Sequence, residues 1–238
     1  MKPNEPAEGE KNRRLFVAVE LPDHVKASLS GAIDLLQDAA GDRGLRWVRP
    51  EAVHVTLKFL GAVPESHVET IINALRGALA DSPMASFDLQ PYRFGAFHGG
   101  RHMPAESRGS REAYRYNLRV VWVGMRGATD ALTGLAARVE SAIAPLGYPT
   151  EKRPFAAHLT LARMRDDADR STREAVYDGL EPYLSEATRT GKFRPELVPD
   201  FPTFRVDRVS LMQSTIQSGG AVYRAIETFS LEAAESRR

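Results

Sequence analysis

Two short phrases of the chain place an imidazole and a hydroxyl two residues apart. The first is His54-Val55-Thr56-Leu57, and the second, 104 residues later, is His158-Leu159-Thr160-Leu161. An imidazole titrates near neutral pH and so gives or takes a proton readily. A threonine hydroxyl donates a hydrogen bond to an anion. Each phrase lies in a run that reads as a strand, Val53 to Leu60 and Ala157 to Ala162. Strand side chains alternate between faces, so His and Thr share one face while Val55 and Leu57, or Leu159 and Leu161, turn into a core. Two such faces brought together would offer two acid–base groups and two hydrogen-bond donors to one small anion.

The remaining histidines carry no such company. His24 and His67 fall at helix starts, and a structural or surface role is expected for both. His98 and His102 flank a polar loop, yet no carboxylate or third His stands at ligand spacing, so no metal site is expected there or elsewhere. Neither phrase has HExxH or HxH spacing. One HxTL match is a weak signal, and β propensity alone explains either threonine. It does not explain why both follow a His at the same distance, in matching strand contexts.

The elements that must position these residues follow from periodicity. Arg13 to Leu21 reads as a strand, and Pro22-Asp23 opens a helix to about Ala40 with Val25, Leu29, Ile33 and Leu36 at helical spacing. Leu45 to Val48 is a short strand candidate, and Arg49-Pro50 turns the chain into the first His strand. A second helix is expected from about Glu65 to Ala80. A strand then runs from Phe87 to Phe97 with a break near Pro91, and a Gly-rich loop covers 98–111. Tyr116 to Gly124 is a strong strand, and a helix from about Ala128 to Leu146 follows it. Phe155 to Arg163 is the second His strand, and a helix is expected near Ser171 to Ser185. Phe204 to Ser214 and Val222 to Leu231, separated by Ser218-Gly219-Gly220, read as a hairpin. Strand, helix, His strand, helix and strand in the first half thus meet strand, helix, His strand, helix and hairpin in the second, which predicts an α+β fold with two His strands related by a pseudo-twofold axis.

At 238 residues, 42% hydrophobic and 26% charged, the chain has the composition of a globular protein large enough for a full core. No apolar run approaches the roughly 20 residues that span a bilayer, so no membrane association is expected. The first dozen residues are polar and read as a disordered tail, 232–238 as a second polar tail, and 13–231 as one domain. With no export signal apparent and no cysteine, a cytoplasmic location is expected, and thiolate chemistry, disulfides and Cys-ligated metals are excluded. Only six of the 32 basic side chains are lysines. Guanidinium groups suit bidentate phosphate recognition, although codon composition accounts for most of such a bias. A net charge of +1 argues against a broad surface for duplex nucleic acid but leaves room for a local phosphate site.

The paired HVTL and HLTL phrases resemble the two-histidine phosphoesterase superfamily. The flanking RLFVAVELP, HVTLKFLG, LRVVWVG and FAAHLTLAR, with the closing Ser214, Gly219/Gly220 and Tyr223, make the chain similar to the RNA 2',3'-cyclic phosphodiesterases, long labelled 2'-5' RNA ligases. The similarity covers Arg13 to about Leu231; the loop at 98–111 and the stretch 166–202 exceed what compact members carry. The resemblance implies two pseudo-symmetric lobes, each an antiparallel or mixed sheet with helices outside, around an active-site cleft. It implies a metal-independent hydrolase, without cofactor, acting on RNA or oligonucleotide ends that carry a 2',3'-cyclic phosphate, and a 2'-phosphate product. It further implies His54 as proton donor, His158 as proton acceptor and Arg163 near the phosphate; the nearly symmetric motifs leave the donor open. Thr56 and Thr160 would bind the non-bridging oxygens.

Strand parity puts Arg163 on the wrong face of the second His strand, so it must lie at the strand end or beyond a bulge. Lys58 shares the His54 face by the same count and is a weaker cation candidate. Tyr223 could stack on a base, and Phe155 is expected in the core. A monomer is expected. The competing expectations are a nucleotide-binding module of the same fold without turnover, a hydrolase of a small cyclic nucleotide or ADP-ribose cyclic phosphate, and a docking protein that uses its polar loops.

Overall fold

The structure is a computed structural model, and it describes residues 10–41, 44–80, 84–99, 115–185, 192–217 and 220–232. Nine strands and four α-helices organise them: β1 (Asn12–Glu20), α1 (Asp23–Ala40), β2 (Leu45–Trp47), β3 (His54–Pro64), α2 (Val68–Ala80), β4 (Phe87–His98), β5 (Leu118–Gly127), α3 (Thr129–Ile143), β6 (His158–Met164), α4 (Arg170–Leu180), β7 (Phe204–Val206), β8 (Arg208–Gln217) and β9 (Gly220–Ser230). The sheet runs in the order β7-β4-β5-β6-β3-β1-β8-β9, with β2 added against β6, and every pairing of named strands is antiparallel. The two His strands, β6 and β3, lie side by side at the centre of that order.

The order reads the same from either end, four strands on each side of the β6–β3 junction. The expected pseudo-symmetry is therefore present, but the lobes are not the two halves of the sequence. β4 closes the first half and pairs with β5 of the second; β8 and β9 close the second half and return to β1. Each half donates its last element to the other lobe, and a single sheet joins both. The ends of the sheet also approach each other, because Ser86 N donates to Glu232 O (2.7 Å) and Glu232 N to Met84 O (3.0 Å).

Helix stripes and strand faces build one core. Val25, Leu29, Ile33 and Leu36 of α1, and Ile71, Ile72 and Leu75 of α2, are buried with Val55, Leu57, Leu159 and Leu161 of the His strands. Burying such side chains is worth roughly 1.5–3 kcal/mol each, which fixes the register of both His strands. α1 ends at Gly41, whose φ of 75° suits a residue without Cβ. α4 begins at Asp169, whose carboxylate accepts from Thr172 N at 2.8 Å.

Some expected boundaries shift. β1 starts at Asn12, and Glu65 N donates to Lys11 O, so the ordered chain reaches into the segment read as a tail. The break in β4 falls at Arg93, which has a φ of 60° and no ladder partner, and not at Pro91, which pairs with Met125. Phe204 to Ser214 is two strands: β7 pairs with β4 at one end of the sheet and β8 with β1 near the other. The reason is a phase slip, since Phe204 and Val206 are buried, Asp207 and Arg208 are not, and burial resumes at Val209. Most of the 98–111 loop, including His102, the turn residues Ser218 and Gly219, and 1–9 and 233–238 of the tails lie outside the described residues.

Candidate active site

β3 and β6 meet through one register pair, Val55 with Leu159, so each histidine stands one residue before the contact. Beyond it the edge of β6 is taken by β2, with Arg46 opposite Arg163 and Trp47 opposite Ala162. His54, Thr56, His158, Thr160 and Arg163 all line one cleft of about 620 Å³. Of the residues singled out from sequence, the structure brings together both imidazoles, both threonines and the arginine.

Each imidazole is held in the same way. His54 Nδ1 lies 2.8 Å from Ala52 O, and His158 Nδ1 lies 2.7 Å from Ala156 O. A carbonyl oxygen only accepts, so Nδ1 carries the proton in both rings and Nε2 is the nitrogen that titrates. Aromatic rings fix the remaining freedom. Phe16 and Tyr223 pack on His54 with centroids at 4.7 and 5.0 Å, and Phe97 meets His158 edge-on at 4.8 Å. Phe97 is backed by Trp122 at 5.3 Å, and Trp122 lies against Gly95, where an added Cβ would come within 2.3 Å of the indole.

Burial holds both imidazoles below their ordinary value, because the charged form is poorly solvated there. The carbonyl bonds oppose the shift and Arg163 deepens it for both. At His54 the charge of Glu20 pulls upward and that of His158 downward. Glu20 is the ladder partner of His54, and its carboxylate accepts from Ser210 Oγ at 2.6 Å.

The arginine reaches the cleft through a bulge. The β5–β6 ladder steps from Val121–Ala162 to Trp122–Thr160, leaving Leu161 unpaired. Leu161 and Ala162 are consecutive buried residues, and Arg163 returns to the face of His158 and Thr160. The first motif repeats this. The β1–β3 ladder steps from Val17–Lys58 to Ala18–Thr56, leaving Leu57 unpaired.

The expectation for Lys58 is therefore overturned. The bulge turns it from the His54 face into the interior, where it is 5% exposed and its Nζ donates to Glu140 (2.9 Å) and Pro149 O (2.8 Å). Phe59 takes the position that matches Arg163 and stands 67% exposed in the cleft wall. Arg14, Arg46 and Phe16 also line the cleft. They were not legible as site residues, since register with distant strands places them; for Arg46 the only local hint is its alternation with Leu45. Tyr223 lines the cleft as expected of a base-stacking candidate, and Phe155 packs against the core.

Comparison with known proteins agrees with this geometry. The family model described as LigT like Phosphoesterase matches residues 19–102 and 123–223. An RNA 2',3'-cyclic phosphodiesterase of Archaeoglobus fulgidus is 29% identical over 91% of this chain and 99% of its own. The enzyme of that name from Thermus thermophilus is 29% identical over 94% of this chain and 93% of its own. The crystal structure of TT0787 of Thermus thermophilus superposes with a TM-score of 0.63 at 26% identity, covering 93% of this chain and 99% of that one. Escherichia coli LigT complexed with 3'-AMP shares the fold, with a TM-score of 0.63 at 20% identity and the same coverage. With both motifs in one cleft and most of its length matched, the chain belongs to the LigT-like phosphoesterase family.

Proposed function

We propose that this protein hydrolyses 2',3'-cyclic phosphate at the ends of RNA or oligonucleotides and leaves a 2'-phosphomonoester. One observation carries the reading: two imidazoles with Nδ1 pinned by a carbonyl, each beside a threonine, face one cleft with Arg163. The names of the relatives that match nearly the whole chain support the same substrate class.

Ring opening by water needs one proton removed and one supplied, on opposite sides of phosphorus. Neutral His158 takes a proton from water at Nε2, and the water oxygen bonds to phosphorus. The bond from phosphorus to the ribose 3'-oxygen breaks, and protonated His54 delivers its Nε2 proton to that oxygen. Thr56 and Thr160 hydroxyls donate to the non-bridging oxygens, where charge accumulates, and Arg163 offsets that charge. Glu20 acts on His54 and not on His158, and it offsets part of the depression that burial, Arg163 and His158 impose there. Substrate anion entering the cleft opposes the depression that Arg163 imposes on both rings.

The scheme requires neither metal nor cofactor, and reversal would join ends through a 2'-5' linkage. The test is incubation with an oligonucleotide ending in 2',3'-cyclic phosphate, with and without EDTA. Ring opening at equal rates is expected. Tight binding without opening would favour a nucleotide-binding module, and loss of activity in EDTA would contradict the metal-free scheme.

A further inference from the structure

Beside the cleft, and sharing Arg46 and Arg163 with it, lies a second hollow of about 270 Å³. Its base includes Val120 and Met164, and its rim carries Arg46, Arg119, Arg163 and Arg165 against one carboxylate, Asp166. Ladder register assembles it: Arg163 pairs with Arg46 on one side and Val120 on the other. Arg119 arrives by a further bulge, because the β4–β5 ladder steps from Phe97–Val120 to His98–Leu118 and leaves it unpaired. Gly99 makes room for it, since a Cβ there would come within 2.8 Å of Arg119 Nε.

The charges in this hollow are poorly compensated. Arg165 is tied to Asp167 at 3.3 Å. Arg46, Arg119 and Arg163 form no hydrogen bond or ion pair with other described side chains. The neighbouring Arg173 is occupied by the carbonyls of Ala168, Leu118 and Arg165, and the charge of Arg119, after burial, holds it below its ordinary value. Three unpaired guanidinium groups around one hollow repel one another until an anion enters, and their planar forks match a phosphate. Elsewhere the cleft is lined by Phe59, Ile216 and Tyr223, beside Arg14 and Ser214, and the two rings offer faces on which a base can stack.

We propose that this hollow binds the phosphodiester joining the cyclic-phosphate nucleotide to its 5' neighbour, so that the site reads a dinucleotide end. The inference rests on the hydrolase reading above. It is tested by kcat/KM for four substrates: a nucleoside 2',3'-cyclic phosphate, its 5'-phosphorylated form, a dinucleotide with the same end, and that dinucleotide with an uncharged methylphosphonate linkage. The natural dinucleotide should exceed the nucleoside by about tenfold or more, and the methylphosphonate should lose most of that gain. Arg119→Gln, outside the catalytic cleft, should remove the gain while leaving the nucleoside within about twofold, and Arg119→Lys should keep part of it. A gain for the 5'-phosphorylated nucleoside without one for the dinucleotide would overturn the chain-end assignment in favour of a mononucleotide. Equal turnover of all four, insensitive to Arg119→Gln, would overturn this inference alone. No turnover of any by the wild-type protein would remove the hydrolase reading beneath it.

Discussion

At the scale of single residues, the two histidines were legible because the same pair of side chains recurs at the same spacing, and the structure assigns both rings the same tautomer. Replacing either with Ala should lower turnover by about 10²–10⁴-fold, with the melting temperature showing that the fold persists. Burial also makes a pH prediction. In the proposed scheme the acid limb of kcat/KM belongs to His158 and the alkaline limb to His54, and both imidazoles are depressed, so the optimum in the free enzyme should lie below about 6.5. Arg163 contributes to both depressions, so Arg163→Gln should move the whole bell toward alkaline pH while lowering its maximum. An acid shift, or none, would remove Arg163 from the electrostatics of the pair. The same shifts bear on stability. Because the folded-state values lie below the unfolded ones, the unfolded chain binds the extra protons, and stability present above about pH 6.5 is lost as pH falls through the folded values. His54→Ala should flatten that acid-side loss in denaturant titrations.

At the scale of elements, the bulge one residue past each HxT decides which side chains reach the cleft. Strict alternation holds for His54 and Thr56 and fails at Lys58, the point at which Arg163 in the second copy also departs from it. Applied to both copies, the same device sends Lys58 inward and exposes Phe59. Lys58 ties β3 to α3 through Glu140, and its loss strands a carboxylate that is still about a quarter exposed. Lys58→Met should therefore destabilise by roughly 3 kcal/mol, the low end for a broken buried pair, and Lys58→Met with Glu140→Leu should recover much of it. If chemical denaturation shows the single variant unchanged, the buried pair does not hold the bulge. The β7–β8 break, missed when Phe204 to Ser214 is read as one strand, has a local signal in the slip of apolar phase at Asp207–Arg208. Arg119, Arg46 and Phe16 were not legible, because only the register with distant strands brings them to the site.

At the scale of the whole molecule, strand exchange between halves makes the lobes interdependent. β4 and the β8–β9 pair each complete a sheet begun by the other half, so unfolding should follow a single transition by near- and far-UV circular dichroism. Two separated transitions would mean that the lobes fold alone. Gly179 marks how closely the layers approach: a Cβ there would lie 2.0 Å from Ala39 O, backbone that cannot swing aside. Gly179→Ala should cost about 1–3 kcal/mol by forcing α4 from α1. The sequence repeat predicted the pseudo-symmetry but not the exchange, since a repeat fixes the elements of each half and leaves open which half they pair with.

In the proposed mechanism, two imidazoles far apart in sequence act on opposite sides of one phosphorus atom. The most direct measurement replaces the ribose 3'-oxygen of the cyclic phosphate by sulfur, a leaving group that departs without a proton. His54→Ala should open the sulfur substrate at close to the wild-type rate while failing on the oxygen one, and His158→Ala should fail on both. Equal loss on both substrates for both variants, or rescue of His158→Ala instead, would contradict the division of labour between the two strands.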